Sequence, residues 1–397
     1  MKHGFYFRFK KIISNDFICA FLAQLAFFLY MIKYWYKKLS RKRVSVSMSC
    51  SEAHKLIDSC YTPAETEPQY INPPINQNVD LSIVVPVYNH KDILDECIST
   101  LINQKTQYNY EVILVDDGST DGAENIVKKY ESNPKVKAVY QKNAGIGAAR
   151  NTGINNAVGE YLMFVDCDDT VHGDIVEKLM NKAYSGDFDM VMAAHNLVKE
   201  KNGQVIDVIP NIYSKYNLSG FKNADKIMNL AGLPWCKVYK RQMWNEVRFF
   251  PGYWYEDTII QFLIFTQCRN YSYVPEVLYE YRWFEQNFSH IQGDKNNYKT
   301  IDSYGILLKI IKQYKKMNLP IDDAFYTLIL RHISVYYYPM FVNFDEEHKS
   351  ALFIVAKELL EKYKPNHKVK LPYMLRQVEK AFENDDVGLW EIASLYQ

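Results

Sequence analysis

Asp166-Cys-Asp168-Asp169 follows directly on the apolar run Tyr161-Leu-Met-Phe-Val165, which puts three carboxylates where a buried strand reaches the surface. Like charges this close repel, and a fold keeps them where a cation or a set of donors offsets the cost. Carboxylate oxygens are hard ligands suited to Mg²⁺ or Mn²⁺, and Mg²⁺ is commonly held by one or two carboxylates together with substrate phosphates. Asp166 and Asp168 are therefore candidate ligands of a divalent metal carrying a diphosphate. A D-x-D standing alone reads more simply as a polar turn whose Asp caps the next helix, so the surrounding elements decide.

From Leu81 those elements are regular. Leu81-Ser-Ile-Val-Val-Pro-Val87 is a β-branched run ending in a loop at Tyr88-Asn89, and Ile93, Leu94, Cys97, Ile98, Leu101 and Ile102 share one helix face. Tyr110–Val115 reads as a second strand, 121–130 as a helix, 135–141 as a third strand, 147–158 as a helix and Tyr161–Val165 as a fourth strand. Strands alternating with helices imply an α/β fold with a mainly parallel sheet and crossover connections, and ligands of such sheets bind at the carboxyl ends of the strands. Tyr88 and Asn89, Asp116 and Asp117, Asn143, and Asp166 and Asp168 all fall at those ends. Four consecutive strand ends presenting polar groups to one edge make a shared site the simpler account.

The rest of the chain adds context. At 397 residues it is long enough for two domains, and a net charge of +1 gives no reason to expect a nucleic acid partner. The 32 tyrosines include Tyr253-Trp-Tyr255 and Tyr279-Glu-Tyr-Arg-Trp283, aromatic surfaces that suit sugar rings, although most tyrosines are packing residues. Seven scattered cysteines without a C-x-x-C pair argue against a disulfide framework and a zinc site, and for a reducing cytosolic setting. Phe17–Ile32 is apolar except for Gln24, with Lys10 and Lys11 before it and Tyr34-Trp-Tyr36 and a basic stretch after it. Residues 17–36 can span a membrane, lie in its interface or pack on the protein's own core. Membrane contact with a cytoplasmic main body is the expectation, the first 45 residues forming the membrane-associated helix and its basic flank. Residues 46–80, ending in an extended Pro73-Pro74 stretch, read as a linker.

Val84-Val-Pro-Val-Tyr-Asn89, Val115-Asp-Asp-Gly-Ser-Thr-Asp121, Asn143-Ala-Gly-Ile-Gly-Ala-Ala-Arg-Asn-Thr-Gly153 and Phe164-Val-Asp-Cys-Asp-Asp169, in this order and spacing, resemble the family 2 inverting glycosyltransferases of the GT-A fold. The resemblance covers residues 81–171 and implies a GT-A catalytic domain over 81–294, followed by a helical region over 295–397. It further implies a nucleotide-sugar donor, most commonly UDP-linked, and Mn²⁺ or Mg²⁺ as cofactor. Mapped residue by residue, Pro86, Val87, Tyr88 and Asn89 form the first nucleotide-contacting loop. One carboxylate of Asp116-Asp117, by preference Asp117, accepts the base N–H, and Asn143 and Arg150 lie near the nucleotide. Asp168 is the direct metal ligand, with Asp166 nearer the ribose or sugar.

Inverting displacement also needs a general base for the acceptor hydroxyl. Glu256-Asp257, within Tyr253-Trp-Tyr-Glu-Asp-Thr258, resembles the family's acidic pair, whose second member makes Asp257 the expected base. Lys237, in Pro234-Trp-Cys-Lys-Val-Tyr239, could approach a phosphate. Tyr281-Arg-Trp-Phe-Glu-Gln-Asn-Phe-Ser-His290 resembles a loop that closes over the nucleotide, placing Arg282 and Ser289 near the diphosphate and making His290 a further candidate metal ligand. Tyr279 stands where processive members carry the Gln of Q-x-x-R-W, which favours single transfers. The expected acceptor is a glycan or lipid-linked glycan of a bacterial surface polysaccharide, at the cytoplasmic face of the cell membrane. Two rival readings are a non-catalytic binding or scaffold protein and a dinucleotide-dependent oxidoreductase. The latter is weakened because Gly145-Ile-Gly147 is completed by Arg150 instead of Gly and follows the third strand.

Overall fold

Leu81–Val87 forms strand β1 in the computed structural model and is buried along its whole length, as expected of a parallel strand covered on both faces. The structure describes residues 16–40, 48–60, 67–201, 204–211, 232–283, 298–337 and 344–396. The chain divides into two units, one comprising Thr62–Ile291 and Asp302–Pro320, the other Met1–Tyr61, Gln292–Ile301 and Ile321–Gln397.

The first unit is built on one sheet. β1 pairs in parallel with β2 (Tyr110–Asp116) and β4 (Tyr161–Phe164), and β2 pairs in parallel with β3 (Val136–Tyr140). Beyond β4 the sheet turns mixed. The short β8 (Lys237–Lys240) runs antiparallel between β4 and β6 (Met190–Lys201), β7 (Gln204–Asn211) pairs off β6, and the long β9 (Tyr271–Trp283) lies parallel to β6 and carries the two-residue β5 (Thr170–Val171). The parallel ladders hold most of the paired residues, so the α/β sheet expected from the sequence is present and remains mainly parallel.

Among the described residues four α-helices lie between β1 and β6: α1 (Lys91–Ile102), α2 (Ala123–Tyr130), α3 (Ile146–Asn156) and α4 (Ile175–Ser185). The apolar face anticipated for α1 is its buried face, through Leu94, Cys97, Ile98 and Leu101. Two boundaries shift for local reasons. α2 begins two residues later than expected because the Asp121 carboxylate accepts hydrogen bonds from the Ala123 and Lys91 N–H groups, both at 2.9 Å, and so stands outside the helix. α3 stops at Asn156 because Ala157 turns extended.

α3 lies against β1 at close range. A Cβ built on Gly153 collides with both γ-methyls of Val84, so the helix approaches the strand only because that residue has no side chain. Asn151 fixes the other side of α3, its amide donating to the Phe249 carbonyl at 2.7 Å and its oxygen accepting the Phe249 N–H at 2.8 Å.

Two boundaries drawn from the sequence differ from the observed units. Helix α5 (Asp302–Lys316), expected in a separate C-terminal region, belongs to the sheet-bearing unit: Asp302 accepts the Trp254 N–H at 2.9 Å and Gln313 donates to the Glu246 carbonyl at 2.6 Å. The segment read as a linker carries a helix over Cys50–Cys60 in the other unit, with Ala53 and Ile57 buried against the helix Glu346–Tyr363. Three aliphatic residues in eleven, Ala53, Leu56 and Ile57, give too sparse a pattern to announce a helix that its neighbour stabilises. That second unit is otherwise helical, with Asp16–Ser40, Asp323–Arg331, Tyr373–Glu383 and Val387–Leu395.

Gly153→Ala is expected to lower the unfolding free energy by about 1–3 kcal/mol through overpacking against Val84, read as a shift of the urea midpoint with an unchanged slope.

Candidate active site

The carboxyl ends of β1, β2 and β3 lie side by side, with Val87 opposite Asp116 and Asp116 opposite Tyr140. Pro86 fits inside a central strand because β4 ends at Phe164, which is paired with Val84, so no ladder partner is lost at the proline. Pro86 and Val87 are themselves buried, leaving Tyr88 as the exposed member of that loop. Asn89 has a left-handed φ of 63°, and its side-chain oxygen accepts the Thr120 N–H at 2.9 Å while its own N–H donates to Ser119 Oγ at 2.9 Å. Asn89 therefore ties the first loop to the second. Gly118, at φ 72°, sits where a Cβ would come within 2.9 Å of the Asn143 nitrogen, so the exposed Asn143 turn closes onto the same edge.

The adjacent carboxylates of the second loop differ in their surroundings. Asp117 Oδ1 accepts the Gln141 amide at 2.7 Å and the Ala144 N–H at 2.9 Å, and Oδ2 accepts the Gly145 N–H at 2.8 Å. Burial raises its pKa even though these donors pull the other way. Asp116 is buried, with Oδ2 reaching the Ser119 N–H at 3.4 Å and Oδ1 without a hydrogen-bond partner among the described residues. Asp117 thus also shapes the turn that leads into α3.

The loop after β4 alternates in direction. Cys167 and Asp169 are buried, whereas Asp166 and Asp168 are partly exposed. The Tyr279 hydroxyl donates to Asp169 Oδ2 at 2.5 Å and accepts the Asp166 N–H at 3.3 Å, and the Arg282 N–H donates to Asp169 Oδ1 at 2.8 Å. Trp235 stacks on the Tyr279 ring, centroids 4.8 Å apart. Asp169 is accordingly the anchor that fastens the loop to β9, and burial holds its pKa well above the usual carboxylate range. Asp168 has no side-chain hydrogen-bond partner among the described residues. Burial and the neighbouring Asp166 push its pKa up to about 6. A half-buried carboxylate with no side-chain donor, beside a second carboxylate, is a donor set that fits a hard divalent cation, so Asp168 with Asp166 could hold one. His290 and Ser289 lie outside the described residues.

Arg150 joins this loop to the Glu256-Asp257 segment. Its guanidinium is buried, donates from Nη2 to Asp166 Oδ1 at 2.7 Å and from Nη1 to Glu256 Oε1 at 2.6 Å, and lies over the Phe249 ring at 5.4 Å. Burial works to lower its pKa, but the two carboxylates outweigh it and the net shift is upward. Beside Glu256, Asp257 is half-buried and has no side-chain hydrogen-bond partner among the described residues. Burial and then the Glu256 charge push its pKa up to about 7, against the opposing pull of Arg150. Such a group can accept a proton near neutral pH.

Two expected ligand contacts fare differently. The Lys237 amine is buried and donates to the Leu233 and Trp235 carbonyls at 2.8 and 3.3 Å, which turns it inward. Burial pushes its pKa down to about 8. To reach a phosphate, as expected from the sequence, the amine would have to leave these two carbonyls. Arg282 reaches Glu96 at 2.6 Å, and its charge acts on Asp168. Glu256, Asp169 and Tyr279 were named in the sequence without the anchoring contacts they make here, and Gln141 was not singled out. A Tyr at the Gln position of Q-x-x-R-W, paired with the last Asp of the cluster, was the available signal.

Arg150→Met strands Asp166 and Glu256 without a counter-charge. Because both carboxylates keep some solvent, the expected loss is about 2–3 kcal/mol in urea unfolding at neutral pH, below the full cost of breaking a buried pair.

The model of glycosyl transferase family 2 matches residues 82–248. Glycosyltransferase GlyA of Streptococcus pneumoniae is 29% identical over 265 residues, which cover 64% of this chain and 36% of GlyA. The uncharacterized glycosyltransferase YibD of Escherichia coli is 31% identical over 255 residues, covering 62% of this chain and 72% of YibD. Among solved structures, S. aureus TarS 1-349 in complex with UDP-GlcNAc superposes with a TM-score of 0.57 at 18% identity, over 80% of this chain and 91% of that one, a likeness of fold. With the acidic strand-end loops held together by Arg150 on that fold, the chain belongs to glycosyl transferase family 2.

Proposed function

We propose that this chain is a metal-dependent inverting glycosyltransferase that moves a sugar from a UDP-sugar to a hydroxyl of a glycan or lipid-linked glycan, in surface polysaccharide synthesis at the cytoplasmic face of the cell membrane. The observation that carries this reading is the double ion pair of Arg150, which ties Asp166 to Glu256 and so sets Asp257 in register with the D-x-D loop. The UDP assignment draws support from TarS, which holds UDP-GlcNAc on the same fold.

The roles follow from the surroundings of each group. Tyr88, Asn89, Asn143 and the Asp116-Asp117 pair line the nucleotide end; Asp117 Oδ2 has one protein donor and keeps acceptor capacity for a base N–H. Asp166 and Asp168 would hold Mg²⁺ or Mn²⁺, which when bound offsets charge on the departing diphosphate. Asp257 takes the proton of the acceptor hydroxyl while that oxygen bonds to the anomeric carbon from the face opposite the nucleotide. The bond from that carbon to the diphosphate breaks, and its electron pair leaves with the nucleoside diphosphate. Arg150 acts through the carboxylates it positions, with its buried guanidinium committed to both.

Asp257→Asn is expected to cut kcat by about 10²–10⁴-fold while leaving the donor KM near wild type, measured as nucleoside diphosphate release across a panel of nucleotide sugars with acceptor present. Unchanged kcat would remove Asp257 from the role of base. The base works only when ionised, so activity should rise with pH through the value of about 7 to which Asp257 is pushed and fall away below it. Asp168→Asn should abolish the rise in melting temperature that Mn²⁺ with UDP gives the wild-type protein.

A further inference from the structure

The helix Asp16–Ser40 has two opposed faces. Stepping about 100° per residue, Ala23 and Tyr34 fall on one side, and both are buried. On that side the Tyr34 ring meets those of Tyr373 and Tyr396 at 6.4 and 5.5 Å, the Tyr30 hydroxyl donates to the Leu395 carbonyl at 3.3 Å, and the Lys38 amine donates to Gln377 at 2.6 Å. Phe21, Leu25, Phe28, Leu29, Ile32 and Leu39 fall on the opposite side, in an arc about 100° wide, and all are exposed, Phe28 by 61% and Leu39 by 81%. An apolar stripe of this kind on a soluble surface marks an interaction site.

Charge selects the partner. No acidic residue occurs from Phe17 to Ser51, while the helix carries Lys33 and Lys37, exposed near its end, and basic residues flank it at Lys10, Lys11, Arg41, Lys42 and Arg43. Exposed Trp35 and Tyr36 sit among these lysines, the pairing found at headgroup level. A second copy would bring two like-charged surfaces together, whereas an anionic bilayer neutralises them. The inward hydrogen bonds of Tyr30 and Lys38 and the ring contacts of Tyr34 run along the helix and keep that face on protein. Among the described residues no helix is long and apolar enough to cross a membrane.

We propose that this helix lies in the plane of an anionic bilayer, its Phe21–Leu39 stripe entering the acyl boundary and its lysines meeting lipid phosphates. This deepens and rests on the membrane location proposed above, and it uses none of the transfer chemistry.

The test is sedimentation of the full chain with phosphatidylcholine vesicles, pure or containing about one third phosphatidylglycerol. The wild-type protein should bind the anionic vesicles about tenfold more strongly than the neutral ones and be released by alkaline carbonate. The double variant Phe28→Glu with Leu29→Glu should stay in the supernatant while melting as the wild type does. Lys33→Glu with Lys37→Glu should lose the preference for phosphatidylglycerol. If the first variant fails to fold, quenching of the wild type by bromine-labelled lipid, reduced in Trp35→Phe, serves instead. Wild-type protein that ignores anionic vesicles, undiminished binding by the folded Glu variant, resistance to carbonate, or a dimer that the Glu variant dissociates without any vesicle binding would each overturn the proposal. Nucleotide release is scored in parallel without vesicles, so failure to dock leaves the transferase reading to stand or fall separately.

Discussion

Arg150 is buried, and its guanidinium places its charge on Asp166 and Glu256. A guanidinium out of water is kept only where carboxylates face its planar fork, so the loop after β4 and the segment before Asp257 are both drawn to one point on α3. Asp166 lies 16 residues from Arg150 along the chain and Glu256 lies 106. The closeness of α3 to β1, permitted by Gly153, and the Asn151 clamp on Phe249 set the helix that carries the arginine. Packing and electrostatics converge here, and the D-x-D loop and the segment before Asp257 share one buried counter-charge.

The acidic residues around that point divide into two kinds. Asp117 and Asp169 accept hydrogen bonds from the protein on both oxygens, from Gln141, Ala144 and Gly145 in one case and from Tyr279 and Arg282 in the other, and these bonds shape turns. Asp168 and Asp257 have no side-chain donor among the described residues, and burial raises both, to about 6 and about 7. A carboxylate left unsatisfied in a partly desolvated place is costly unless something binds it. In a transferase site the occupants would be a cation for one and a proton in transit for the other.

Much of this was legible beforehand for a physical reason. Parallel strands buried on both faces are continuous apolar runs, so β1, β2 and β4 and the polar residues that terminate them stand out in the sequence. Asp121 shows the limit, because whether an Asp begins a helix or caps it depends on which N–H groups lie within its reach. Lys237 shows another: a lysine in an apolar stretch can point to a ligand or inward, and the Leu233 and Trp235 carbonyls settle it inward. The Cys50–Cys60 helix was invisible because its stability comes from the Glu346–Tyr363 helix and little from its own pattern.

The sequence by itself determined the α/β order, the strand ends and the residue types that gather there, because hydrophobic periodicity and turn chemistry are local. Only the tertiary structure decided that Asp169 is an anchor, that Arg150 joins Asp166 to Glu256, and that the Asp16–Ser40 helix buries one face and bares the other. Each of these depends on which distant surface a side chain meets. Burial, ion pairing and the proton affinities they set are properties of that meeting.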